Sequence, residues 1–261
     1  MIYRLPTRYE EFTLVVKVKT PQSERIHLIV KDEELRNTVF TDRWKTVDGE
    51  VTFFVRMPVS GKNALVEIFN ERTGRFADND PSFEVLEIRK IPLEKKLDAF
   101  DLSNPELKSF INFATKFCFN AGHLCSGTYV STDKRFTIEY LPTIISNKSG
   151  KELETPARIS KQSGRIQVSQ RKFIPDTVPM RMAILLHEYS HYYVNKDIDN
   201  ESEADLNGLL IYLGLGYPRF EAHEAFLKTF ISTPTELNKD RYDKIKAFID
   251  DFEKNYLIVY E

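Results

Sequence analysis

Two histidines and two glutamates carry most of the chemistry this sequence can offer. His187 and His191 stand four residues apart in Ile184-Leu185-Leu186-His187-Glu188-Tyr189-Ser190-His191-Tyr192-Tyr193, an H-E-x-x-H pattern. Residues four apart share one face of an α-helix, so both rings can turn a nitrogen toward one metal ion. Glu188, beside the first histidine, can reach a water that such a metal activates. The plain alternative is a helix with two histidines and no metal. A catalytic zinc usually takes three protein ligands and keeps a position for water, so a third ligand must fold back beside this helix. Glu201 opens the next helical stretch ten positions after His191, across the polar turn Asn195-Lys196-Asp197-Ile198-Asp199-Asn200. Glu203 competes for the same role from a different face. A second histidine-type continuation, H-x-x-G-x-x-H, is not supplied by His191-Tyr192-Tyr193-Val194-Asn195-Lys196-Asp197, so a carboxylate is expected.

The elements that must hold these groups are legible in outline. Met180, Ile184, His187 and His191 follow one another at steps of four, three and four, one continuous helical stripe. Pro175-Asp176-Thr177-Val178-Pro179 leads into it: Asp176 or Thr177 can cap the helix, and Pro179 fits its first turn. Upstream lie three candidate strands, Phe136–Leu141, Ala157–Ser160 and Arg165–Ser169. The last two are separated by Lys161-Gln162-Ser163-Gly164 and read as a short antiparallel hairpin. A helix begins after Ser103-Asn104-Pro105 and carries Leu107, Phe110, Ile111, Phe113, Ala114 and Phe117 on one broad face. Cys118, His123 and Cys125 near its end match none of the common zinc spacings and read as ordinary residues. Downstream, the helix opening at Glu201 closes at Gly214, Gly216 and Pro218, and two more follow around Glu221–Phe230 and Lys239–Phe252.

The chain before Lys90–Lys96 has a different character. Phe12, Leu14, Val16 and Val18 alternate with polar positions, as do Ile26, Leu28 and Val30, and Asp48-Gly49 is a strong hairpin signal. Short strands at such intervals predict a small, sandwich-like all-β domain over residues 1–92; the expected role is binding or positioning, with an unidentified protein as partner, and the alternative is a purely structural appendage. Residues 93–261 are then an α+β domain of helices around a small mixed sheet.

His187-Glu188-Tyr189-Ser190-His191 followed by Glu201-Ser202-Glu203-Ala204-Asp205 resembles the gluzincin zinc metallopeptidases, including the ImmA/IrrE type. The resemblance covers roughly residues 103–215 and implies a zincin-like fold, one zinc ion, and hydrolysis of peptide bonds in a protein or peptide substrate. It puts the third zinc ligand on Glu201 and a ligand-orienting acid on Asp205. Glu188 is expected to be the general base. An extended substrate pairs with a sheet-edge strand in such folds, and the resemblance implies Arg165, Ile166, Gln167, Val168 and Ser169 for it. The oxyanion needs a further donor, for which Tyr192, Tyr193, Tyr212 and His223 are the candidates. Two other readings use the same residues: a catalytically silent zincin-like module for binding or assembly, and a zinc hydrolase of a non-peptide amide.

Composition bounds these readings. At 261 residues and 41% apolar content the chain can bury a substantial core, and a formal net charge of −2 supplies no basic field for nucleic acid. Met1 to Glu11 lacks an apolar core of signal-peptide length, and no stretch approaches a membrane span. With only Cys118 and Cys125, no disulfide framework is expected. A cytoplasmic location is the expectation.

Overall fold

The two alternating apolar runs of residues 12–30 merge into one long strand. The computed structural model describes residues 1–35, 37–75, 80–121, 127–146, 149–232 and 234–256. In it Leu14, Val16, Val18, Ile26, Leu28 and Val30 are all fully buried along β2 (Phe12–Asp32). With β1 (Ile2–Pro6), β3 (Val39–Met57), β4 (Asn63–Asn70) and β5 (Glu84–Ile91) it forms an antiparallel five-stranded sheet. β4 pairs with Ile26–Asp32 of β2 and β5 with Thr13–Lys19, while β3 runs beside both stretches. One long pair thus serves both halves of a single all-β sheet.

Asp48-Gly49 does not reverse the chain as predicted. Both residues lie inside β3, where the β2–β3 register shifts between Thr20 and Glu24. Gly49 has φ of +80°. The freedom that would close a hairpin here absorbs a bulge instead, with extra β2 residues crowded against Asp48. The chain instead reverses between the end of β2 at Asp32 and the start of β3 at Val39, and Asp32 Oδ1 accepts the N–H groups of Glu34 and Leu35 at 2.8 and 2.6 Å. Asp32 mimics a backbone turn, a role available to any short acid and therefore quiet in the sequence.

The chain divides into two compact units, the first comprising Met1–Glu94 with Gly216–Pro218, the second Lys95–Leu215 with the segment starting at Arg219. The second unit opens with α1 (Pro105–Asn120). Asn104 caps it by accepting from the Glu106 and Leu107 N–H groups, and Pro105 takes the first helical position. A mixed sheet follows in the order β6-β7-β9-β8, built from β6 (Gly127–Val130), β7 (Thr137–Leu141), β8 (Ala157–Ile159) and β9 (Ile166–Ser169). β7 and β9 are parallel and the other pairs antiparallel. The expected β8–β9 hairpin forms, with Gly164 at φ +66° in its turn; β6 and the four-residue helix α2 (Gln170–Phe173) went unread in the sequence. The remaining helices are α3 (Val178–Tyr193), α4 (Glu201–Gly214), α5 (Arg219–Ser232) and α6 (Glu236–Tyr256).

Aromatic rings fill the space between α1, the sheet and α3. Phe110 stacks on Tyr189 with centroids 4.0 Å apart, and Phe117 meets Tyr140 and Phe173 edge-on or tilted at 5.8 and 6.1 Å. Such contacts add about 0.5–1.5 kcal/mol each beyond the area they bury. Among the described residues, no helix is long and apolar enough to cross a membrane.

Candidate metal centre

α3 is held at its start by an unexpected group. Arg181 is fully buried, and its guanidinium donates to the carbonyls of Phe173, Ile174 and Cys118 at 3.1, 2.7 and 3.1 Å. These bonds tie α3 to α2 and the end of α1, offsetting the cost of burying the charge. Thr177 caps the helix by accepting from the Met180 N–H, and Pro179 lies in the first turn. At the other end, Val194 and Asn195 N–H groups both donate to the Ser190 carbonyl, closing α3.

The turn into α4 is built from its polar side chains. Asn200 Oδ1 accepts from the Glu203 N–H at 3.0 Å and caps α4. The Glu203 carboxylate in turn accepts the Lys196 and Asp197 N–H groups at 2.9 and 3.4 Å. Glu203 is therefore spent on shaping the turn, and Glu201 is the acid left facing α3. The two helices approach closely at Gly208, where a Cβ would stand 3.0 Å from the His187 backbone nitrogen. A side chain there would push the two helices apart by a few tenths of an ångström.

This geometry brings three donors together. His187 Nε2 and His191 Nε2 lie 3.2 Å apart, and each stands 3.5 Å from a different oxygen of the Glu201 carboxylate. Ligands held at roughly 2.0–2.2 Å around a tetrahedral zinc stand about 3.3–3.6 Å from one another. The donor set thus has both the chemistry and the spacing for one metal ion. His191 Nδ1 lies 2.9 Å from the Ile198 carbonyl, which can only accept, so that nitrogen carries a proton and Nε2 keeps a lone pair. His187 Nδ1 lies 2.9 Å from Asp205 Oδ1, and Asp205 is buried. The His191 ring is therefore oriented from behind by a hydrogen bond, and the His187 ring by the close charge of Asp205, at an angle short of a hydrogen bond.

Electrostatics follow from the crowding. Burial works against a charged His187, but the Asp205 and Glu201 carboxylates outweigh it and raise its pKa to about 10. Glu201 is lowered, first by its hydrogen bonds to His187 and His191. Burial pushes the Glu188 carboxyl up, opposed by His187, His191 and the Ile159 N–H and reinforced by Glu201. Glu188 is thus a buried carboxyl held above its ordinary range.

His187, Glu188, His191, Glu201 and Asp205 all line one cleft of about 240 Å³. Its far wall is apolar, with Ile184 from α3 and Ala225, Phe226 and Phe230 from α5; Thr229 and Arg241 add polar groups. Its rim is β8, not the strand implied by resemblance. Arg165 lies in the hairpin, and Ile166, Gln167, Val168 and Ser169 form or bound β9, which is bonded to β7 on one side and β8 on the other. An inner strand has no free backbone groups to offer a peptide. On either side of β8, the Pro156 carbonyl accepts the Ser169 N–H and the Ser160 N–H donates to the Arg165 carbonyl. By antiparallel alternation, the groups of Ala157 and Ile159 point to the open side.

None of the four oxyanion candidates lines the cleft. Tyr192 and Tyr193 lie at the other side of α3, against the turn at Gly164, where a Cβ would come within 2.6 Å of the Tyr193 hydroxyl. Tyr212 is fully buried in α4, and His223 is half-buried with Tyr242 as a ring neighbour at 6.2 Å. Helical periodicity explains the tyrosines: one and two residues past His191 are 100° and 200° around the helix. Cys118 is buried and its thiol is pushed up to about 12 by that burial, as fits an inert core residue. His123 and Cys125 lie outside the described residues. Arg241, which touches both Glu201 and Asp205, escaped the sequence reading because nothing in its spacing marks it.

Compared with models of known protein families and with curated proteins, the chain matches none.

Proposed function

We propose that the chain is a zinc-dependent peptidase of the gluzincin type, with His187, His191 and Glu201 as ligands and Glu188 as general base. The observation that carries this reading is the mutual spacing of the three donors, with a buried carboxyl and an open strand edge in the same cleft. A zinc ion, when bound, supplies Lewis acidity, lowering the pKa of a water and polarising the scissile carbonyl. An extended peptide lies along β8, bonding the outward groups of Ala157 and the carbonyl of Ile159, whose N–H is held by Glu188, and placing one apolar side chain against Phe226 and Phe230. Glu188 takes the attacking water's proton, holds it, and delivers it to the departing amine. Asp205 holds the His187 ring in place throughout.

The test separates metal from chemistry. Glu188→Gln is expected to keep stoichiometric zinc and lose about 10²–10⁴-fold in cleavage of a peptide library, whereas His187→Ala is expected to lose the zinc itself. A wild-type chain purified with zinc supplied that retains none overturns the reading. Zinc bound without cleavage of any peptide points to the silent binding module.

A further inference from the structure

Arg241 reaches the centre from α6, the last helix, and joins two carboxylates there. Its Nε donates to Asp205 Oδ2 at 2.8 Å, and its Nη2 donates to Asp205 Oδ1 at 3.0 Å and to Glu201 Oε2 at 3.2 Å. The guanidinium lies 4.9 Å from the centroid of the Phe230 ring, and the side chain is only 12% exposed. One planar group, fixed on its own face by an aromatic ring, therefore links the acid behind His187 to the acid facing both histidines.

Exposure shows why that link matters. The Glu201 side chain is 49% exposed, against 14% for His187 and 5% for His191. Of the three donors, only Glu201 has room to swing into water, and ordering a free glutamate costs side-chain entropy. Arg241 holds it in advance. Charge makes a second, independent demand. Asp205 and Glu201 set two carboxylates close together in one largely enclosed cleft, and their mutual repulsion calls for a cation between them. The guanidinium is that cation, in a place where an uncompensated charge is costly.

We infer that Arg241 is a positioning residue of the metal centre, locking Glu201 and Asp205 into one arrangement and thereby setting the affinity for zinc. This inference rests on the metal reading proposed above. Lysine is a poor replacement, since a point charge cannot span two carboxylates as the guanidinium fork does.

The experiment titrates metal-stripped protein with zinc against a competing chelator, and with cobalt(II), whose visible absorption reports the ligand geometry. Both are run at a temperature where circular dichroism shows each variant folded. R241M is expected to bind zinc about 10–100-fold more weakly than wild type, with a cobalt spectrum altered in the same sense as that of E201Q. R241K is expected to fall between the two. If R241M does not fold, R241K decides: weaker zinc binding supports the role, and wild-type affinity overturns it. A folded R241M with wild-type zinc affinity and cobalt spectrum also overturns it while leaving the metal reading intact. A wild-type chain that takes up no zinc removes the metal reading, and this inference falls with it.

Discussion

Asp205 shows how much a single carboxylate decides here. It touches His187 Nδ1 and accepts both arms of Arg241, so it sets the orientation of one ligand and the anchoring of another. In the metal-free chain His187 holds a proton up to about 10, burial opposing the proton and Asp205 and Glu201 outweighing it. Zinc needs that ring neutral, so uptake near pH 8 must expel a proton, and apparent affinity must rise with pH until about 10. The stability of the metal-free protein runs the other way. A histidine whose pKa rises on folding contributes fully below its unfolded value, near 6.5, and the contribution fades as pH climbs toward about 10. Asp205→Asn is expected to weaken zinc binding about 10–100-fold and to abolish most of the proton release. Calorimetry in buffers of different ionisation enthalpy measures both, and unchanged proton release in the variant would show that Asp205 does not control His187. The spacing of His187, Glu188 and His191 was readable because a helix fixes it, and Glu201 because a short polar turn brings the next helix back beside it; Asp205 was named only through the resemblance. Arg241 was not readable: it meets them only after two further helices have packed.

At the scale of elements, the sequence is informative wherever structure is local and silent where partners are distant. The Asn104 and Thr177 caps, the Gly164 turn and the apolar stripe of α3 are all decided within a few residues, and they stand where their chemistry puts them. Strand order is not decided that way. β8 and β9 form the local hairpin expected, but which of them becomes the edge depends on β7, whose Ile138 pairs with Ile166 from nearly thirty residues away. That distant pairing hides β9 and exposes β8. Likewise, Asp48-Gly49 has hairpin chemistry, but its long neighbour β2 turns it into a bulge. The β8–β9 distinction is testable with proline. Ala157→Pro removes an N–H from the open side of an edge strand, where proline is tolerated. It is expected to keep the fold and the zinc, and to lower kcat/KM for an extended peptide by roughly 2–12-fold, the worth of one hydrogen bond. Gln167→Pro, in the inner strand, is expected to destabilise the chain by at least the roughly 1–3 kcal/mol cost of leaving a buried ladder partner unpaired, measured by denaturant unfolding. A Gln167→Pro chain as stable as wild type would contradict the inner position of β9.

The whole molecule places every group of the candidate centre in one of its two units. His187, Glu188, His191, Glu201, Asp205 and Arg241 belong to the unit that opens at Lys95, which also contains the mixed sheet and the cleft. The ligand group found among the described residues draws nothing from β1 to β5. Metal that binds only the folded state adds stability by mass action, about 2.7 kcal/mol when free zinc is a hundred times its dissociation constant. That energy enters through the contacts between α3, α4 and α6, because the ligands and Arg241 sit on those three helices. Amide hydrogen exchange of the metal-free and zinc-loaded protein is therefore expected to slow in His187–Tyr193, in α4 and around Arg241, and a chelator is expected to reverse it. Exchange in β2 and β3 is expected to stay as it was, since their ladders carry no ligand. A zinc-induced slowing spread evenly over β2, β3 and the helices would mean either that metal is bound elsewhere or that both units open in one event. Loading Glu201→Ala with zinc separates the two, because slowing that persists without Glu201 comes from another site.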